Sequence, residues 1–548
     1  MDNQFQSIFG FTIGPIYELM SHSKKTRELW FSSFFFSWYV KKLYIKLENL
    51  RYFRFLKPKI DISLLPKSKA GLFPDHIVAY SEKDVESTFN DIEKCINENN
   101  QYFIDVINNL DNAHYLSSKS KTDVEKIFND YLQTNFIVLP AKGINENEAV
   151  KTIENYLDAL ERNRSFTLRK NEPTCYRCKS LPAIFEIHDK YDDRSKDQEV
   201  CPFCFMKFMS NQSNEICAET SQKTGSRYRS TGEIAADELI RKIDVSDLSE
   251  YFKSNDEIEY EGKKGKEFKE RLPEKGEEIR PYHKYMAIVQ ADGDNLGDTA
   301  NKVQNPEELS KLLFEFGQEA LDITRKYHGE AIYIGGDDIL SFMPTAFKDG
   351  DYFFSIIDYV NELSMAYKHK LYCKGLPGSL SVGVHLFYYK SPLSLAIQNA
   401  REQLFDVAKK IPGKDSFALL LTQHSGQKVG FQFKFCSDEL WLFNRILKNT
   451  ISVKADYPKG MHHKLGLYRN VLTNLTDVDQ IDHFFNNRFN EDIHKTYSGL
   501  EYIKVYLTKM LSIKTSSGVK ILNGKKAEEK LSEFISHIKF IKFLSGED

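Results

Sequence analysis

The sequence predicts an α+β protein with two ferredoxin-like domains, a four-cysteine zinc knuckle and a helical C-terminal domain. Three observations carry this. Strand and helix signals between residues 282 and 422 alternate as β-α-β-turn-β-α-β-α-β, the core of a split βαβ arrangement. Two Cys-x2-Cys pairs stand between an N-terminal and a central globular stretch, and residues 430–548 carry helical periodicity and lean basic. At 548 residues the chain exceeds a single core. The expected domains are residues 1–165, α+β and ferredoxin-like; 166–280, the knuckle with helices and a linker; 281–425, a second ferredoxin-like unit with a Gly-Gly-Asp-Asp hairpin; and 426–548, helical.

In order along the chain, Ser7 to Ile13 reads as a strand ended by Gly14-Pro15, followed by a long helical pattern broken near Pro58. Gly71 to Tyr80 reads as loop then strand, and residues 82–165 as amphipathic helices with a strand near Asn135 to Leu139. The longest apolar run, Leu29 to Val40, is about half a membrane span and holds three serines, so a buried helix is expected and no membrane contact. The opening MDNQFQS lacks the basic and apolar regions of a secretory signal, which with the cysteine usage points to the cytoplasm. Net charge is −3, which excludes a chain-wide polyanion binder. Residues 1–60 nevertheless hold ten basic side chains against four acidic ones. That is either a surface for RNA or phosphate or the solvated face of a helix.

Cys175 and Cys178, then Cys201 and Cys204, form two knuckles with 22 residues between them. Four thiolates in two tight pairs match a closed tetrahedral Zn²⁺ site, whose role is folding. The remaining cysteines, Cys95, Cys217, Cys373 and Cys436, stand alone. Glu257 to Glu278 has the charge of an exposed linker.

In the central unit, Tyr285 to Ala291 is a buried strand run, and Asn305-Pro306-Glu307-Glu308 starts a helix that runs to about Tyr327, with Gly329 as its left-handed stop. Strands come next at Ala331 to Ile334 and Ile339 to Met343, around a Gly335-Gly336-Asp337-Asp338 turn. A helix over 351–368, a strand over 380–387, a helix over 392–411 and a strand over 416–422 complete the order.

The chemistry concentrates at that turn. Glycines let backbone approach a ligand closely, so a triphosphate can lie against Gly335 and Gly336. Two adjacent carboxylates repel unless a hard cation neutralises them, so Asp337 and Asp338 are expected to bind Mg²⁺ or Mn²⁺. Asp292 ends the central strand beside the hairpin and supplies the third carboxylate of a two-metal nucleotidyltransfer site. Asp294, two residues on, is expected behind these ligands on the nucleotide side. Lys409, at the end of the 392–411 helix with Lys410, is expected to reach a triphosphate as a point charge. A Gly-Gly-Asp-Asp tip that only turns the chain is the plainer alternative.

The residues resemble a known family. Phe11-Thr12-Ile13-Gly14-Pro15 leading into Lys24-Lys25-Thr26-Arg27-Glu28-Leu29-Trp30 comes first. After the cysteine knuckle come Ser230-Thr231-Gly232-Glu233-Ile234-Ala235-Ala236, Asp292-Gly293-Asp294-Asn295, Gly335-Gly336-Asp337-Asp338, Ser381-Val382-Gly383-Val384 and Ala408-Lys409. In order and rough spacing, through about residue 425, they are similar to the large palm-domain subunit of type III CRISPR effector complexes in its Cmr subtype.

The resemblance implies two polymerase-type or cyclase-type palms and an RNA-guided complex with companion Cmr subunits, crRNA and target RNA. It also implies a palm that, on target binding, joins ATP into cyclic oligoadenylate. An AMP conjugate with another acceptor, such as S-adenosylmethionine, would use the same carboxylates. Many members begin with an HD nuclease domain. Here the first signature starts at residue 11, and His188-Asp189 is isolated, so no DNase activity is expected. A silent crRNA-binding scaffold and a free-standing nucleotide cyclase are the competing classes.

Overall fold

The computed structural model describes residues 4–65, 68–110, 115–116, 119–141, 146–162, 173–188, 197–220, 228–242, 279–300, 302–303, 306–452, 460–489, 500–515 and 518–546. The Glu257–Glu278 linker, Asn305 and Asp189 lie outside them.

The N-terminal sheet holds β1 (Ser7–Gly14), β2 (Phe53–Lys57), β3 (Ile77–Ser81) and β4 (Gln133–Pro140) in the order β2-β3-β1-β4, all antiparallel. Helices Thr26–Asn49 and Val85–Asn108 fill the two crossovers, which makes the unit ferredoxin-like. Asp84 caps the second helix by accepting from the Ser87 N–H. The first helix is buried without interruption from Glu28 to Val40, since it packs between its sheet and the knuckle. The extended strand β2 comes after it, where helical periodicity suggested more helix. The buried pair of Arg177 and Glu28 ties the knuckle to that helix, with Gln198 accepting from Arg177 Nε at 3.0 Å. The knuckle itself carries a small ladder, β5 (Phe185–Ile187) against β6 (Gln198–Val200).

The central sheet has six strands: β7 (Tyr285–Asp294), β8 (Glu330–Gly335), β9 (Asp338–Pro344), β12 (Ser379–Tyr388), β13 (Ser416–Thr422) and β14 (Lys428–Lys434). Between β9 and β12 lies a hairpin, β10 (Ala346–Asp349) with β11 (Tyr352–Ser355). The sheet order is β14-β13-β12-β7-β9-β8. Its four strands β12-β7-β9-β8 repeat the ferredoxin-like order, with helices Pro306–Lys326 and Ile356–Tyr372 in the crossovers. β13 joins β12 in parallel after the Leu393–Glu402 helix, and β14 extends the edge. That helix packs close because Gly383 has no side chain: a Cβ there would strike the Ala400 carbonyl and the Leu404 N–H.

Three details differ from the sequence reading. β14 extends the sheet to Lys434 where helix was expected, because its apolar residues alternate and pair with β13. Residues 352–355 are strand, so the next helix begins at Ile356 under a Ser355–Asp358 capping box. The left-handed residue closing Pro306–Lys326 is His328 (φ 58°), one before Gly329, whose N–H reaches back to the Thr324 carbonyl at 2.9 Å.

The C-terminal helices, chiefly Asp438–Ser452, Leu500–Met510 and Gly524–Ser545, pack on the β13–β14 end and share one core with the central sheet. Among the described residues no helix is long and apolar enough to cross a membrane.

The N-terminal core is aromatic, with Phe35 touching Phe103, Phe128 and Phe203 from three elements. Phe35→Ala is expected to cost about 3–5 kcal/mol and to lower the first thermal unfolding transition, measured by calorimetry.

Candidate active site

The hairpin between β8 and β9 has a two-residue loop, Gly336-Asp337, with Gly335 and Asp338 opposite one another as its last paired residues. Gly336 takes φ +76° and Asp337 does not, the sign pattern of a II′ turn, which needs glycine first. β7 lies beside β9, with Ala291 opposite Ile339, so Asp292 emerges next to the tip. Gly293 is required there: a Cβ would strike Asp337 Oδ2 and lie 2.7 Å from the Tyr367 hydroxyl.

Burial of acidic groups is the main electrostatic feature. Burial pushes the Asp338 carboxyl up, with Asp337 and Asp75 adding to it and Arg401 opposing, to about 7. Burial also raises Asp337, against the pull of Lys57 and of the Asp337 and Gly293 amides. Asp292 forms an ion pair with Lys409, whose ammonium also donates to the Gly293 carbonyl at 3.2 Å. The oxygens of Asp292, Asp337 and Asp338 do not all come within 4.8 Å of one another. The buried Tyr367 hydroxyl beside them has no hydrogen-bond partner. Under-neutralised carboxylates, an orphaned hydroxyl and an all-oxygen donor set fit a hard divalent cation.

Asp294 lies behind the end of β7, held by β12 and the approach to β13. Only 3% exposed, it accepts from Ser379 Oγ (2.7 Å), Ser381 Oγ (2.7 Å) and the Asp415 N–H (2.9 Å). Its carboxylate is saturated by β12 and the β13 approach and braces the end of β7.

Several neighbours were missed by sequence reasoning. Lys57 and Asp75 come from the N-terminal unit, which meets the central sheet through a bridge between Gly71 and Tyr333. Arg401 lies over the rings of Tyr17 (4.8 Å) and Phe405 (5.3 Å), at the mouth of a cavity of about 390 Å³. The expected 392–411 helix changes character here: α through Glu402, π over Gln403–Val407, 3₁₀ over Ala408–Lys410. The π turn presents Phe405 and Lys409 on the same side, a device found often at functional sites. Lys410 instead pairs with Asp406 in solvent.

Two groups of metal-ligand side chains occur among the described residues. Cys175, Cys178, Cys201 and Cys204 are buried, with Cys178 and Cys201 sulfurs 3.9 Å apart. The edge of a tetrahedron with 2.3 Å metal–sulfur bonds is about 3.8 Å, so the cluster fits one tetrahedral metal ion. Lys179, at φ 60°, turns the first knuckle, and Cys201 caps the Pro202–Met209 helix. The other group, Asp75, His76 and Glu161, is occupied by its own contacts: His76 Nε2 is 2.8 Å from Glu161, and Thr12 also donates to Glu161. The early basic residues are largely paired as well. Lys41, Lys42, Lys46, Arg54, Lys57 and Lys59 each meet a glutamate, which favours a solvated face over a nucleic-acid surface. His188 is exposed and 3.3 Å from Asp197.

Two ferredoxin-like units with a Gly-Gly-Asp-Asp hairpin in the second define a palm-domain protein of the polymerase and cyclase type. Comparison with known proteins narrows this. Residues 285–418 match the family model described as Cas10/Cmr2, second palm domain, and residues 8–105 match CRISPR-associated protein Cmr2, N-terminal. The CRISPR system Cmr subunit Cmr2 of Pyrococcus furiosus is 31% identical over 217 residues, spanning 33% of this chain and 23% of that protein, less than a quarter of its length. A chain of the type III-B Cmr-beta complex in its apo state superimposes with a TM-score of 0.60 at 12% identity, over 99% of this chain and 82% of that one. The same complex bound to cognate target RNA gives 0.56 at 13%, over 99% and 83%. Over these two stretches the chain is similar to the Cas10/Cmr2 family, and its fold is that of the Cmr-beta chain.

Two outcomes are expected. Asp338→Asn removes a carboxylate whose charged form is disfavoured; without divalent metal it should raise the melting temperature, and the stabilisation that Mn²⁺ gives the parent chain should shrink. Cys175→Ser should reduce tightly bound transition metal from one ion per chain to none by elemental analysis and lower the melting temperature.

Proposed function

We propose that this chain is the nucleotidyltransferase of an RNA-guided Cmr-type complex, making an adenylate second messenger from ATP when target RNA binds. The observation that carries the reading is the Gly-Gly-Asp-Asp hairpin placed beside Asp292, with Lys57 and Arg401 close enough to act on its tip carboxylates and Lys409 paired with Asp292. Similarity to the Cas10/Cmr2 family supports the assignment, and the Cmr-beta likeness supports partnership with other Cmr subunits, crRNA and target RNA.

Asp292, Asp337 and Asp338 would hold Mg²⁺ or Mn²⁺, which supplies charge neutralisation at the phosphates and a more acidic attacking hydroxyl. The chain's own residues do the rest. Gly335 and Gly336 let backbone amides approach the phosphates. Lys409 leaves Asp292 for the triphosphate, and Arg401 offsets charge on the departing pyrophosphate. The Tyr17 and Phe405 rings offer stacking faces for adenine. A ribose hydroxyl of one nucleotide attacks the α-phosphorus of the next. A new phosphodiester P–O bond forms, the α–β bond breaks with release of pyrophosphate, and the hydroxyl proton passes to solvent. Asp294 keeps the end of β7 in place. The four cysteines would hold Zn²⁺ as a folding element.

The test is incubation of the assembled complex with ATP, Mg²⁺ or Mn²⁺, a small-metabolite pool and matching target RNA, with products identified by mass spectrometry. A ring of AMP units is the expected mass. A conjugate, for example with S-adenosylmethionine, would place the same transfer on another acceptor. Asp337→Ala with Asp338→Ala should lower product by at least a thousandfold while RNA binding is retained; no product from the parent complex would reduce the palm to a scaffold.

A further inference from the structure

A second polar cavity lies at the opposite end of β7, independent of the palm reading above. Tyr285 opens that strand seven positions before Asp292, about 23 Å away at strand spacing. The cavity holds about 340 Å³ and is bordered by Tyr285, His424, Gln427, His462, Lys539 and Lys542. That volume falls in the range of small-ligand sites.

The walls come from three places. The 423–427 loop joining β13 to β14 is closed by a bond from the Gln423 N–H to the Gln427 carbonyl (2.8 Å) and anchored by the His424 N–H donating to the Tyr285 hydroxyl (2.9 Å). The Met461–Leu467 helix brings His462, its ring 4.1 Å from that of His463. The Gly524–Ser545 helix brings Lys539 and Lys542, three residues apart and therefore on one face. Tyr285 and Phe543 pack edge to face beneath them, and the His424 ring rests on Tyr388.

The charge is uncompensated. Among the described residues no acidic side chain borders the cavity. Among the described residues neither Lys539 nor Lys542 is paired with a carboxylate, whereas Lys530 on the same helix holds Glu533 at 2.7 Å. His462 Nδ1 is buried with no hydrogen-bond partner. Burial, then His463, Lys542 and Lys539, hold the His462 imidazole down at about 4, so it stays neutral beside two ammoniums. Two like charges on one helix face and an unsatisfied buried nitrogen both cost stability, and one bound anion offsets both.

The donors identify the anion. Two ammoniums, an imidazole and a carboxamide spread around a nucleotide-sized hollow can surround a tetrahedral, multiply charged group better than a planar carboxylate. The exposed His424 ring adds a face on which a base can stack. We propose that this cavity, between the β13–β14 loop and the C-terminal helix, is a second site for a phosphate-bearing nucleotide, with Lys539 and Lys542 as its charge contacts and His462 and Gln427 as its hydrogen-bond contacts.

Two sources share that chemistry, free nucleotide and an RNA strand, and one set of measurements separates them. The full chain, Lys539→Gln/Lys542→Gln and the control Lys530→Gln are compared, using anisotropy with a labelled ten-nucleotide single-stranded RNA and calorimetry with ATP. If the ligand is a strand, the double variant binds RNA at least tenfold more weakly, and its log K against log salt slope becomes shallower by about 1.4. If it is free nucleotide, ATP stoichiometry falls by one site. Lys530→Gln should change neither. Unaltered RNA and ATP binding in a double variant that melts like the parent would overturn the site, as would an equal loss in Lys530→Gln. The loss caused by Lys539→Gln/Lys542→Gln should be the same size in an Asp337→Ala/Asp338→Ala background, so failure here is separable from failure of the palm.

Discussion

Crowded negative charge at one end of β7 is the constraint around which the rest of the molecule is arranged. Asp292 leaves the strand beside a hairpin tip that carries Asp337 and Asp338; burial raises the pKa of both tip carboxyls, and repulsion from Asp337 and Asp75 adds to it at Asp338. A fold left to optimise stability would not place them so. Cations from three separate elements lean in to compensate: Lys57 from β2, Arg401 from the helix after β12, and Lys409 from the distorted turn behind it. None forms a closed pair with both tip carboxylates. The tip is stable enough to fold and remains electrostatically unfinished, which is the condition a metal–triphosphate ligand requires.

The two ferredoxin-like units divide this work by how they connect their middle strands. In the central unit β8 and β9 are joined by two residues, so the tip is sharp and rigid. In the N-terminal unit β2 and β3 are joined by residues 58–76, too long for a tight turn. That connection reaches across to the partner sheet instead, where Gly71 bridges to Tyr333 and carries Asp75 toward Asp338. Gly71 suits the bridge because a Cβ would press within 3.1–3.3 Å of Ser33 and Ser37 on the Thr26–Asn49 helix. The first unit thus brings a cation and an anion to act on the tip carboxylates. The aromatic packing of its long helix against the knuckle then bears on where Lys57 and Asp75 stand.

This division explains what could be read from the sequence. β7, the β8–β9 hairpin and the cysteine knuckle announce themselves through local signals: a buried strand run, glycines where positive φ is needed, and paired thiols at fixed spacing. The ferredoxin-like order came from the alternation of elements. Lys57, Asp75, Arg401, Tyr17 and Phe405 had no such signal, because their meeting depends on contacts between residues hundreds of positions apart. β14 was missed because its alternation, with Val429, Phe431 and Phe433 buried, is short and sits against a long helical stretch. Asp294 could be placed near the site, but only the register of β12 shows it turned toward Ser379 and Ser381.

The π segment at Gln403–Val407 links the fold to the chemistry most directly. Gly383 lets the Leu393–Glu402 helix approach β12 so closely that its continuation must widen to pass. Widening adds a residue to the turn and rotates the Ala408–Lys410 turn after it, which brings Lys409 to Asp292 and Gly293 and leaves Phe405 at the mouth of the cavity beside Arg401. A regular helix over 393–410 would set Lys409 at a different angle. Gly383 of β12 therefore acts on the site without touching it: one missing side chain on the sheet sets the approach of a helix, and that approach sets a cation at the carboxylate cluster.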